Sequence, residues 1–504
     1  AFEMMDRFRA AAGAEANLQT LARGVNGVGL ESQPREILSL HARLFNKHGI
    51  TTIRNFDALN DVRNLIDSGR AISEAGLRHE VCITMMALPK GCSGAHTPEY
   101  YLGVLEEILG AGIPFDSLCL KDATGTTPPA VVGATVERVK RRLPGEVELR
   151  FHSHETGGIS LAQYMAAIEN GVDGVDCSLS PVSGGAAQLD VLTLAHALKG
   201  TEYTLDLDPE RLEPVEEFFR ERMAEYEMFP EAQRVEPTIP LFPMPGGALT
   251  ANTQMMRDNG MIERFTEVMR AMGEVVQKGG LGTSVTPVSQ FYFQQAFNNV
   301  VFGPWKRIAP GYGEMVLGYF GKTPVPPDPE VVELASEQLD LTPTEEAPIE
   351  LNGRDPAKGV KAARERLRAA AVERGDEEAI FIAATCGEKG IRFLKGEAPL
   401  LVRKREAAVA PRKGEPAEGI ASADGERYSV TVDGRVYEVR FEGNQAIVGG
   451  QRFSVGEGGS APSDAGAAGG APAGVPPSAG NEIVEVESPF SGTLLRTLVA
   501  VGDR

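Results

Sequence analysis

Between about residue 15 and residue 250, short apolar runs alternate with longer segments whose apolar residues recur at helical spacing. The runs Leu18–Arg23, Thr51–Phe56, Glu80–Met85, Ser117–Lys121, Val147–His152 and Gly174–Cys177 read as strands, and a further strand is expected near Thr238–Phe242. Several are largely apolar runs, as expected of parallel strands buried on both faces. The segments Pro34–His48, Ala58–Ala75, Thr97–Ala111, Ala130–Leu143 and Leu161–Asn170 read as helices. Strand and helix recur about every 30 residues, the length of a βα unit. The expected fold is therefore α/β: a (β/α)₈ TIM barrel whose first strand is missing. A doubly wound open sheet would favour a glycine-rich phosphate loop after its first strand. No loop of that pattern follows Leu18–Arg23.

Residues 251–400 read as mostly helical, with amphipathic stretches at Met255–Lys278 and Lys358–Arg374 and a proline-rich break at Pro324–Pro329. From Arg427 the period shortens to two. Tyr428–Val432, Asp433-Gly434 and Arg435–Phe441 form a hairpin pattern with a type I′ turn signal. Residues 457–480 are almost all Gly, Ala, Pro and Ser, the composition of a flexible linker. Beyond it, Ile483–Val486 and Thr493–Val501 read as short strands. The expected organisation is a barrel over 1–250, a helical extension over 251–400, a small β region over 401–456, a linker over 457–481 and the start of a β-rich module over 482–504. Such a tether between a large body and a small β module suits a swinging carrier. The chain opens at Ala1 on a helical pattern and closes on a strand entering a turn, so truncation at both ends is expected.

Composition narrows the function. The 504 residues are 42% hydrophobic and 24% charged, ordinary for a globular chain. Lys plus Arg number 50 against 70 Asp plus Glu, a net charge of -20, which argues against a nucleic-acid or anionic-membrane partner. No run of about 20 apolar residues and no signal-peptide pattern is present. The five cysteines contain no CxxC pair and suit a reducing, cytoplasmic setting.

In a barrel, chemistry gathers at the C-terminal ends of the strands. His152 and His154 sit at one such end and, two apart on a strand, point the same way. They could ligate a divalent metal with oxygen donors completing the shell, or be two hydrogen-bonded structural histidines. Lys121 ends the preceding strand, where a buried amine is costly unless used or neutralised. It could act as nucleophile or base, or capture CO₂ as a carbamate, or pair with Asp122. Arg23, followed by Gly24, could present its fork to a carboxylate, or form a structural ion pair. Pro245-Gly246-Gly247 allows close backbone approach and delivers Thr250 near the barrel mouth, or is an ordinary turn before a helix.

Taken together these segments resemble the carboxyltransferase domain of biotin-dependent enzymes: pyruvate carboxylase, the α subunit of oxaloacetate decarboxylase, and transcarboxylase. The resemblance rests on Leu21-Ala22-Arg23-Gly24-Val25-Asn26-Gly27, Phe56-Asp57-Ala58-Leu59-Asn60-Asp61, Leu120-Lys121-Asp122-Ala123-Thr124-Gly125, His152-Ser153-His154-Glu155-Thr156-Gly157-Gly158 and Pro245-Gly246-Gly247-Ala248-Leu249-Thr250, in this order. It covers about residues 1–345, and the linker with Ser488-Pro489-Phe490-Ser491-Gly492 extends it toward a biotinyl carrier domain. It implies a divalent metal (Zn, Mn or Co) held by His152, His154 and a carbamylated Lys121. It implies that Arg23 holds the carboxylate of a 2-oxo acid and that Thr250 passes a proton between biotin and substrate. The implied reaction is carboxyl transfer between carboxybiotin and an acid of the pyruvate/oxaloacetate class, in the carboxylase or decarboxylase direction. Implied partners are a biotin carboxylase subunit or membrane decarboxylase subunits, in a homo-oligomer.

Some family features differ. The family's aspartate metal ligand is expected before Ala1 and its AMKM-like biotinylation segment beyond Arg504, both outside this sequence. Leu30, Ala123 and Ala248 replace the usual Tyr, Met and Gln, changes expected near the substrate pocket. A Claisen-type lyase or synthase of the isopropylmalate synthase and HMG-CoA lyase group also uses paired histidines, but needs neither Lys121 nor a tethered carrier. A non-catalytic barrel scaffold would have no use for the intact Arg23, Lys121, His152, His154 and Thr250.

Overall fold

The computed structural model describes residues 2–242, 246–398, 402, 404–405 and four strands between 427 and 454. The chain divides into two units, Ala1–Glu406 and Ala407–Arg504. The linker and carrier-like segment expected beyond 457 lie outside the described residues, as do Pro245 and the Asp433-Gly434 turn.

The first unit is built on six strands: β1 (Gln19–Ala22), β2 (Thr52–Asn55), β3 (Arg78–Thr84), β4 (Ser117–Asp122), β5 (Glu148–Ser153) and β6 (Gly174–Val175). All pair in parallel and in chain order, β1 to β6. A doubly wound sheet reverses its order at a switch point; this one never does, so its winding is that of a TIM barrel. All six expected strands are present. Helices Arg35–Lys47, Arg63–Glu74, Pro98–Gly110, Pro129–Arg142 and Ser160–Glu169 make the crossovers. The expected strand near Thr238–Phe242 is instead a helical turn, Ile239–Leu241, because Pro240 has no N–H to give a ladder. The amphipathic stretch Met255–Lys278, read as helical, falls on two helices, Gly246–Asp258 and Phe265–Lys278, parted at Gly260, whose φ of +65° breaks the helix.

The strands separate two cores by alternation. Val81, Ile83, Leu118, Leu120, Leu149 and Phe151 pack outward on Tyr101, Leu105, Val136 and Tyr164 of the crossover helices. Cys82 and Cys119 face the other way and join a core that runs through Ala248, Met272 and Val276 to Tyr292 and Tyr312. Helices beyond residue 246 thus close over the barrel.

The second unit contributes an antiparallel meander: β7 (Arg427–Val432), β8 (Arg435–Glu442), β9 (Gln445–Val448) and β10 (Gln451–Ser454). β7 and β8 meet at Val432↔Arg435, the register a two-residue turn requires.

The loop after β4 hangs on one carboxylate. Asp122, fully buried, accepts from the backbone N–H of Thr124 (3.1 Å), Gly125 (2.9 Å), Thr126 (2.9 Å) and Thr127 (2.7 Å), and from Gln163 Nε2 (3.0 Å). Gly125 has φ +65°, and a Cβ there would lie 2.1 Å from the carbonyl oxygen of His154. Gly125→Ala is expected to lower stability by at least about 2 kcal/mol. Gly145→Ala, whose Cβ would meet nothing within 4 Å, is the control. Thermal unfolding of the two variants side by side checks this, and equal midpoints would contradict it.

Candidate active site

A cavity of about 530 Å³ opens at the C-terminal ends of the strands. Its wall includes Arg23, Arg54, Lys121, His152, His154 and Gln188, with the small side chains of Ala123 and Ala248. The structure therefore gathers Arg23, Lys121, His152 and His154 around one space. Thr250 stands half-buried in the first turn of Gly246–Asp258, two residues past Ala248 and outside that lining set. Leu30 is also outside it, 42% exposed.

The strand pleat decides which neighbours reach the cavity. Lys121 pairs in register with His152 on β5 and points inward, while Asp122 turns outward to its loop. The surface pair between Lys121 and Asp122 is therefore not formed. Lys121 Nζ lies 5.1 Å from the centre of the Phe56 ring, and burial lowers its pKa. His152 faces inward and Ser153 outward, onto Gln163 Oε1 at 2.5 Å.

The hydrogen-bond partners favour one tautomer for each histidine. His154 Nδ1 is 2.6 Å from the carbonyl oxygen of Ala186, which can only accept. His152 Nδ1 is 2.8 Å from Asp176 Oδ2. Burial, before any other cause, pushes the pKa of His152 down to about 4 and that of His154 to about 3, so both rings are neutral. Each then carries its proton on Nδ1 and a lone pair on Nε2. The two Nε2 atoms face each other at 3.1 Å, with Gln188 Nε2 3.3 Å from that of His154. Two converging acceptors with no proton between them are what a shared divalent cation requires. The residues present fit such an ion, with Lys121 opposite.

Arg23 is held by its Nη1, which donates to the carbonyls of Val28 and Gly29, while its buried Nε–H has no partner within the protein. A desolvated guanidinium with a spare donor at a cavity wall suits an anionic oxygen.

Arg54 and Asp176 were not foreseen from the sequence. Arg54, in the middle of β2, forms ion pairs with Glu80 and Asp176 and lies 3.2 Å from His152 Nδ1. The signal was a charged residue inside a strand that is buried at every position, and an aspartate just past β6. Deeper, Glu80, Cys82 and Cys119 also bring ligand atoms within 4.8 Å of one another. There Glu80 is already paired with Arg54, and burial holds the Cys119 thiol well above its usual range. In the Phe56–Asp61 segment Phe56 lines the cavity, and Asp57 is scaffolding: it accepts from the N–H of Leu59 and Asp61 (both 3.0 Å) and from Asn64 Nδ2 (3.0 Å).

The HMGL-like family matches residues 81–218, and the Conserved carboxylase domain matches residues 239–440. The methylmalonyl-CoA carboxyltransferase 5S subunit of Propionibacterium freudenreichii is 31% identical over 338 residues, 67% of this chain and 65% of that protein. A pyruvate carboxylase subunit of Methanocaldococcus jannaschii is 30% identical over 388 residues, 75% of this chain and 65% of that protein. The chain thus spans just under two thirds of these relatives. The carboxyl transferase domain of Rhizobium etli pyruvate carboxylase, solved with pyruvate and biocytin, has the same fold: TM-score 0.69 at 22% identity, over 90% of this chain and 78% of that one.

The neutral histidines make a pH prediction. His41, His79 and His96 are also held neutral by burial, at about 3, 4 and 4. In the unfolded chain each takes up a proton near pH 6.5, which the folded state refuses. Stability should therefore fall as pH drops from about 6.5 to about 4. Asp57, raised to about 7 by burial, opposes this, as do Glu155, Glu216 and Glu314, whose carboxyls burial also raises, while the lowered carboxyls of Asp176 and Glu378 act with the five histidines. Unfolding midpoints measured across that range in the absence of metal check it; a flat or rising profile on acidification contradicts it.

Proposed function

We propose that this chain, which belongs to the carboxyltransferase family of biotin-dependent carboxylases, moves a carboxyl group between carboxybiotin and a 2-oxo acid of the pyruvate/oxaloacetate class. The observation that carries the reading is one cavity holding an arginine with a spare donor, a desolvated lysine and two histidine lone pairs. Arg23 binds the substrate carboxylate and fixes its orientation. His152 and His154, with Lys121, hold a divalent cation. When bound, the cation polarises the substrate's oxygen atoms and lowers the cost of enolate charge. The hydroxyl of Thr250 carries a proton between biotin and the substrate methyl group, which requires the first turn of its helix to bring it to the cavity. Helices beyond residue 246 roof the site and keep water from the released CO₂. The same groups serve carboxylation and its reverse.

On this reading the enzyme is cytoplasmic and homo-oligomeric. It works with a biotinylated carrier that a separate biotin carboxylase subunit charges, or that membrane decarboxylase subunits discharge. Among the described residues no helix is long and apolar enough to cross a membrane. A lyase or synthase of the HMG-CoA lyase group is the weaker reading. Its match ends at residue 218, whereas the carboxylase-domain match continues through the helical extension.

The test is oxaloacetate decarboxylation to pyruvate with free biotin. Lys121→Ala and Thr250→Ala are each expected to lower biotin-dependent turnover at least about 100-fold. Arg23→Lys is expected to raise KM for the oxo acid about tenfold or more, since Lys cannot offer a fork. No turnover by folded, metal-loaded wild type would move the acceptor to another acid or an acyl-CoA. Failure to take up any divalent metal would end the reading.

A further inference from the structure

Arg54, in the cavity wall, and the half-buried Asp176 have no role in the chemistry proposed so far, yet both reach His152 at the same ring nitrogen. Asp176 Oδ2 lies 2.8 Å from His152 Nδ1 and forms an ion pair with Arg54, which also pairs with Glu80. Arg54 Nη1 is 3.2 Å from the same ring nitrogen. An arginine only donates, so without Asp176 it would favour a bare lone pair at Nδ1. The ring proton would then move to Nε2. There it would meet the lone pair of His154 Nε2, 3.1 Å away, while His154 keeps its own proton on Nδ1 against the carbonyl of Ala186. One relocated proton would thus form an N–H···N bond between the two rings and remove both metal-facing lone pairs. The pair is built close enough to close on itself.

We propose that Asp176, itself held by Arg54, is the positioning residue that keeps the His152 proton on Nδ1 and so keeps the His152–His154 pair open to a metal ion. Its carboxylate accepts the ring proton directly, and the ion pair to Arg54 keeps that carboxylate ionised and turned toward β5. The neighbouring ring needs no such device, because a backbone carbonyl cannot donate and leaves His154 one tautomer only. The proposal rests on the reading of His152 and His154 as metal ligands. It adds that the donor set is made by a residue that never touches the ion.

The test begins on the intact protein freed of metal, with its histidines labelled with ¹⁵N. Long-range proton–nitrogen correlation assigns the tautomer of His152, using His152→Gln to identify the resonance. The expected result is a protonated Nδ1 and a bare Nε2 in wild type. In Asp176→Asn, which retains shape and loses charge, the proton is expected on Nε2, with His154 unchanged. Cobalt(II) affinity, read from its visible absorption, is expected to fall about 10- to 100-fold in the same variant. Circular dichroism reports whether the variant folds; if it does not, the wild-type tautomer decides alone. A wild-type His152 protonated on Nε2 would overturn the proposal. So would an Asp176→Asn protein that keeps both the Nδ1 proton and wild-type cobalt affinity, as a purely structural aspartate would. If wild type binds no cobalt, the metal reading fails, while the tautomer measurement still decides what Asp176 does.

Discussion

The pleat of the parallel strands governs everything else in this structure. At each strand end one residue enters the barrel and the next leaves it. The outgoing residue ties down the scaffold around the incoming one. On β2, Arg54 enters and Asn55 leaves, accepting from Gly24 N at 3.1 Å and donating to Ser68 Oγ at 2.9 Å. On β4, Lys121 enters and Asp122 leaves to gather the following loop. On β5, His152 enters and Ser153 leaves to Gln163. Gln163 Nε2 also reaches Asp122, so the outer anchors of β4 and β5 are joined. A shift of one residue in any strand would exchange chemistry for scaffold.

The cavity concentrates positive charge. Arg23, Arg54 and Lys121 line it, and only Arg54 has its counter-charges beside it, in Glu80 and Asp176. Burial alone would neutralise such groups. Arg54 stays charged, as a guanidinium does in any protein environment, and with His152 it holds the Asp176 carboxyl well below the usual carboxylate range despite burial. Lys121 has no such partner in direct contact, and its pKa is lowered. One site thus contains a permanent cation, held by anions, and an amine that loses its proton readily. Chemistry that needs a neutral amine and neutral imidazoles at ordinary pH is favoured by that environment.

The barrel was legible in the sequence because buried parallel strands are written as apolar runs with regular spacing. All six of the strands foreseen up to residue 177 are present. Beyond residue 230 the pattern misled at two places. Ile239–Leu241 has the apolar content of a strand, but Pro240 denies it a ladder. Asn259 and Gly260 divide what reads as one amphipathic stretch, since side-chain spacing is insensitive to a single backbone reversal.

Within the site, the residues at strand ends could be read from the chain alone: Arg23, Lys121, His152 and His154 are each carried to the cavity by a local strand and loop. Period and position are one-dimensional properties, and they suffice for that. Three features depended on how the chain closes in space. Lys121 faces the histidines and not Asp122, Thr250 stands outside the cavity lining while Ala248 is within it, and Arg54 and Asp176 govern His152. Arg54 meets His152 and Asp176 at separations of 98 and 122 positions, across the barrel interior. Charge pairing at such separation leaves no mark in a local pattern. It arises only when the strands bring buried charges from distant positions within reach of one another.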